Sequence, residues 1–100
     1  MKAQQYYEKY FENCTSREEL NNGTTKLYYD ILDEYQVLQK SRGAKTFIAS
    51  VGIVRELNDK WNAVASLVEN KFKAKVLKRN VIWNIVLSEP WPDRFPKKPD

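Results

Sequence analysis

Histidine is absent from this 100-residue chain, and cysteine occurs once, at Cys14. A single thiol cannot close a disulfide within the chain. Without imidazole the usual zinc donor sets cannot be assembled either, and the commonest general base is missing. Glycine occurs three times, at Gly23, Gly43 and Gly52, and none of the three falls in a P-loop, a dinucleotide fingerprint or a nucleophile elbow. No apolar run reaches membrane-spanning length, and the first residues carry no secretory signal pattern. These absences predict a cytoplasmic protein that is not an enzyme, with no metal, no cofactor, no membrane span and no small-molecule substrate. Proline is missing from residues 1–89, and all four prolines lie at 90, 92, 96 and 99.

What is present suits a single small domain. Hydrophobic residues make up 42% and charged residues 30%, so there is enough apolar surface for one core. Three Trp, six Tyr and four Phe supply much of that surface in few residues. The Lys-, Asn- and Tyr-rich usage fits an AT-rich genome, such as that of a bacterium or phage. The net charge of +4 is unevenly spread. Residues 2–40 hold five basic and seven acidic side chains, whereas residues 71–100 hold eight and three. A basic last third seeks an anionic partner.

Apolar spacing reads as helix along most of the chain. Ala3, Tyr7, Tyr10 and Cys14, flanked by Tyr6 and Phe11, predict a first helix over about 2–13. Thr15 with Glu18, and Ser16 with Glu19, fit capping-box spacing. They predict a short second helix stopped by the Asn21-Asn22-Gly23 run. Leu27, Ile31, Tyr35 and Leu38 line a third helix that starts near Thr24, with Asp30, Asp33 and Glu34 on its solvated side and Gly43 as its left-handed stop. From Ala44 to about Phe72, the residues Phe47, Val51, Val54, Leu57, Trp61, Val64, Val68 and Phe72 recur by threes and fours. They predict one long helix. Gly52 marks a kink or the turn of a helix-turn-helix, although Asn58 then sits where that motif wants a buried aliphatic. Residues 73–87 are open between a helix and a β-hairpin, because Val81, Trp83, Ile85 and Leu87 also alternate like a strand. The fold class is therefore mainly α: a helical bundle of three to five helices over 1–88, followed by an extended tail over 89–100.

Two segments carry the functional reading. In the tail, proline fixes φ and removes backbone donors, so the rings of Trp91 and Phe95 must find a groove, in cis or in trans, or stay wet. Together with Arg94 they are the candidate partner-binding residues, while Pro96 to Pro99 matches a weakly specific P-x-x-P spacing. The second segment is the run 71–79, where Lys71, Lys73, Lys75, Lys78 and Arg79 occur without an acid. It is a candidate nucleic-acid contact, although a basic run neutralises phosphate without reading bases. The expected function is a non-catalytic assembly or adaptor protein acting through protein–protein contact or self-association. The alternative is a nucleic-acid-associated accessory protein, and a third reading is a small inhibitor or immunity-type helical protein.

Overall fold

The computed structural model describes residues 1–43 and 46–83, with the backbone alone at Phe47. Three helices form the domain: α1 (Ala3–Tyr10), α2 (Arg17–Ser41) and α3 (Phe47–Phe72). Each packs against the other two, and one further helical turn begins at Val81. The chain is mainly helical, and no strand occurs among the described residues. No described helix is long and apolar enough to cross a membrane. The tail boundary at 89, with Trp91, Arg94 and Phe95, lies outside the described residues.

Helix starts follow their caps. Ser16 accepts a hydrogen bond from the Glu19 amide at 3.1 Å, which satisfies one of the orphan donors of the first turn. The Glu19 carboxylate takes the Thr15 and Ser16 hydroxyls at 3.1 and 3.2 Å. Thr46 caps α3 by accepting from the Ala49 amide at 3.2 Å. Gly43 ends the turn after α2 at φ +60°, the left-handed region where glycine is unstrained.

The α3 stripe packs as its spacing predicts. Val54, Leu57, Trp61, Val64 and Val68 are all buried, and they meet Leu27, Ile31 and Tyr35 of α2. On α1 the buried face is rotated from the expected one. Tyr6 and the following Phe11 are buried, while Tyr7 and Tyr10 are half-buried.

Three expectations are corrected. First, α2 runs unbroken through Asn21-Asn22-Gly23, so the expected second and third helices are one. Gly23 is a contact residue here. A Cβ at Gly23 would stand 2.7 Å from the Tyr10 carbonyl oxygen and 3.2 Å from the Phe11 ring. The end of α1 therefore lies directly on the α2 backbone.

Second, α3 is one continuous helix across Gly52, which is exposed with open space around it. No turn exists there, and the helix-turn-helix reading falls. Third, the hairpin is not formed over its described part. Lys73 ends α3 at φ 56°, residues 74–80 have no regular structure, and 81–83 are helical. Ile82 is buried, where a strand alternating on Val81 and Trp83 would turn it to the opposite face. Residues 84–87 lie outside the described range.

Acids read as a solvated face of α2 instead hold α1. The Tyr6 hydroxyl donates to Glu34 at 2.8 Å, and Lys60 of α3 pairs with the same carboxylate. The Tyr10 hydroxyl donates to Asp30. Charged acceptors are shared between helices along this seam, where partial burial strengthens each bond.

Candidate functional site

The irregular segment after α3 is held by a polar rail on α3 itself. Asn58, Asn62, Ser66 and Glu69 recur at helical spacing beside the apolar stripe. Asn58 Nδ2 and Asn62 Nδ2 both donate to Asn80 Oδ1, at 3.1 and 2.9 Å. The Asn80 amide donates back to Asn62 Oδ1 at 2.9 Å, and the Trp83 amide donates to Asn58 Oδ1 at 3.1 Å. Asn80 sits at φ 59°, a conformation asparagine tolerates better than most residues. Asn58, which counted against a DNA-binding motif in the sequence, is thus a buried bracket for the segment that follows α3.

Arg79 is fixed to the same rail. Its guanidinium donates to the Asn62 carbonyl at 3.2 Å, to Ser66 Oγ at 2.9 Å and to Glu69 Oε2 at 3.0 Å. Lys71 donates to the Glu12 carbonyl at 2.8 Å and lies 5.7 Å from the centroid of the Phe72 ring. Two of the five predicted basic contacts are therefore engaged in holding the domain together. Lys73, Lys75 and Lys78 are exposed. All three lie beyond the end of α3, so Lys71, Lys75, Lys78 and Arg79 share no helical face.

The segment that the rail holds forms one wall of an open groove of about 450 Å³. Asn21, Thr24, Thr25, Tyr28 and Tyr29 of α2 form the other wall. Trp61 lies at its base, and Val76, Leu77, Lys78 and Val81 complete the rim. Trp61 is locked in place, because its indole N–H donates to the Lys78 carbonyl at 2.8 Å. Tyr28 meets Trp61 edge-to-face at 6.3 Å between centroids, and Tyr29 meets Tyr28 at 5.8 Å. Such edge contacts favour aromatic pairs beyond their buried area.

Burial, and secondarily the neighbouring Tyr29, pushes the Tyr28 phenol above its ordinary value of 10.0. It is therefore a neutral hydrogen-bond donor at neutral pH. Among the described residues no side-chain hydrogen bond engages the hydroxyl of Tyr28 or Tyr29, or the amide of Asn21. Thr24 and Thr25 bond back to α2 carbonyls. Among the described residues the groove thus has an apolar floor, phenol and amide donors on one wall that no described side chain engages, and Lys78 on the rim.

The sequence places Trp61 on the apolar stripe of the long helix. It does not join Tyr28 and Trp61 to residues 76–81, which are distant in sequence. A second pocket of about 240 Å³ lies at the α1–α2 junction among Lys9, Tyr10, Asn13, Cys14 and Lys26. Cys14 is buried there, with its thiol donating to the Tyr10 carbonyl at 3.0 Å. Burial raises its pKa, which keeps the thiol protonated and unreactive. Among the described residues no group of three or more metal-ligating side chains converges. The chain matches no protein-family model, no curated protein and no solved structure.

Proposed function

We propose that this protein is a non-catalytic contact module, an assembly or adaptor protein whose docking site is the groove between α2 and residues 76–81. The supporting observation is that the groove is aromatic, open and built on fixed elements. Tyr28 and Tyr29 are half-buried rings of the kind that anchor protein interfaces, and the buried Trp61 beneath them holds Tyr28 in place. The rail removes the freedom of the opposite wall in advance, so little ordering entropy opposes binding. Trp91, Arg94 and Phe95 belong to this reading as further contact residues.

Exposure of Lys73, Lys75 and Lys78 beside the groove favours a second reading, an accessory contact to nucleic acid. Three neutralised phosphates would give a slope of log K against log salt near about −2.7 on duplex DNA.

Thr25→Arg tests the two together. Thr25 is exposed on α2, and arginine is a good helix former, so the fold is expected to survive while the groove is filled. Affinity capture on immobilised wild type and variant should show protein partners lost from the variant. Retention of the same proteins would refute the groove as docking site. Nucleic-acid retention that the added arginine strengthens, with the salt slope above, would instead support the second reading.

A further inference from the structure

We propose that the groove receives the proline-rich segment Pro90–Pro99 of a second copy of this chain, so that two copies exchange tails. The inference rests on the groove being a docking site and names its occupant.

Chemistry selects the class of ligand. An extended proline-rich strand makes no internal hydrogen bonds, so its carbonyls are open acceptors. Surfaces that recognise such strands are aromatic-lined grooves. Here the aromatic floor is Tyr28, Tyr29 and Trp61, and the Tyr28 and Tyr29 hydroxyls are donors that the described residues leave unused. The chain itself carries a matching sequence, Pro90-Trp91-Pro92-Asp93-Arg94-Phe95-Pro96. Its two rings stand about 12 Å apart on a polyproline path. Asp93 falls between the rings, and among the described residues Lys78 is the one charged residue lining the groove, so charge is complementary as well.

Direction selects a second copy over the same chain. Arg79 bonds at Ser66 and Glu69, Asn80 at Asn62 and Asn58, and Trp83 at Asn58. From 79 to 83 the chain therefore travels toward the N-terminal end of α3. Val81 lines the groove, whereas the Trp83 amide bonds Asn58, which does not. Area is sufficient too. Exchange buries four large rings at roughly 150–250 Å² each. With the matching groove surface, this reaches the roughly 1,200–2,000 Å² of a standard stable interface. A reciprocal exchange is also isologous and closes at two copies.

The test uses the full chain and two variants in sedimentation analysis over a range of concentrations. One variant blocks the groove (Thr25→Arg) and the other removes the anchors (Trp91→Ala with Phe95→Ala). Wild type should form dimers. Each variant alone should dimerise more weakly, by about 30-fold or more per lost anchor. An equimolar mixture of the two variants should recover a heterodimer, because it retains one intact groove and one intact tail. Lys78→Glu, at an exposed position, provides a second groove variant should Thr25→Arg fail to fold, and Asp93→Lys should restore dimerisation to it. A wild type that stays monomeric, a dimer indifferent to loss of both rings, or a mixture without heterodimer each overturns the exchange. If Thr25→Arg abolishes partner capture while the Trp91/Phe95 variant does not, the docking groove stands and tail exchange falls. If the Thr25→Arg change affects neither capture nor dimerisation, both fall.

Discussion

At the scale of single residues, two helical glycines make opposite predictions. Alanine is favoured over glycine in a helix interior by about 1 kcal/mol. At Gly52 nothing lies within 4 Å of the added Cβ, so that preference should appear unopposed. Gly52→Ala is expected to stabilise the domain by about 0.5–1 kcal/mol. At Gly23 the same methyl group meets the Tyr10 carbonyl oxygen at 2.7 Å. A backbone atom cannot step aside as a flexible side chain can, and overpacking costs about 1–3 kcal/mol. Gly23→Ala should therefore destabilise despite the gain in propensity. Chemical denaturation of the two variants settles the signs, and a stabilised Gly23→Ala would mean that α1 does not rest on α2 as described.

At the scale of elements, a third prediction concerns the rail. Asn58 satisfies the Trp83 amide and holds Asn80, with only 8% of its own surface exposed. Asn58→Ala leaves a part-buried amide unpaired, at about 1 kcal/mol or more. Asn58→Leu leaves the same amide unpaired and should not recover that loss, although leucine suits an apolar stripe. Faster hydrogen exchange at the Trp83 amide than at amides of central α3 would localise the effect, whereas a leucine variant as stable as wild type would refute the bracket.

The same elements show what the sequence could and could not reveal. The α3 stripe was legible because Val54, Leu57, Trp61, Val64 and Val68 repeat at one spacing, and burial follows that period directly. The α2 start was legible in Ser16 and Glu19, whose capping chemistry is local. The continuation of α2 through Asn21-Asn22-Gly23 was hidden, because turn-forming residues were judged on local propensity while tertiary contact with Tyr10 and Phe11 decided the outcome. Residues 74–83 were hidden for the converse reason. Their polar partners lie at Asn58, Asn62, Ser66 and Glu69, and no local period announces a pairing across that distance. The basic run was legible as charge, but the capture of Lys71 by Glu12 and of Arg79 by Glu69 was not. The groove shared that fate, since it joins Tyr28 to Val81 through Trp61.

At the scale of the whole molecule, the tyrosines tie the helices together in a way that pH should expose. The phenols of Tyr6, Tyr10 and Tyr28 are all raised above their ordinary value of 10.0. Burial is the leading cause in each case. At Tyr6 the hydrogen bond to Glu34 and its charge add to the rise, and at Tyr10 the bond to Asp30 does. A phenolate at either position would face a carboxylate across the α1–α2 seam. Below about pH 10 these groups are neutral in the folded and the unfolded chain alike, so stability there does not depend on them. Above it the unfolded chain releases protons that the folded chain retains. The folded state then binds more protons, and stability falls as pH rises toward the folded pKa values. Because Tyr6 and Tyr10 dock α1 and Tyr28 packs on Trp61 of α3, the loss should be global rather than a fraying of one helix. The part of the tyrosinate absorbance near 295 nm that is lost in Tyr6→Phe, Tyr10→Phe and Tyr28→Phe should appear together with the loss of helical circular dichroism, in one cooperative step. In Tyr6→Phe the carboxylate of Glu34 loses a donor, so stability at neutral pH should fall by about 1–3 kcal/mol, while the alkaline dependence becomes shallower by one proton. Absorbance assigned to Tyr6, Tyr10 and Tyr28 by these variants that rises while the helices stay intact would show that these phenols are not the ties between α1, α2 and α3.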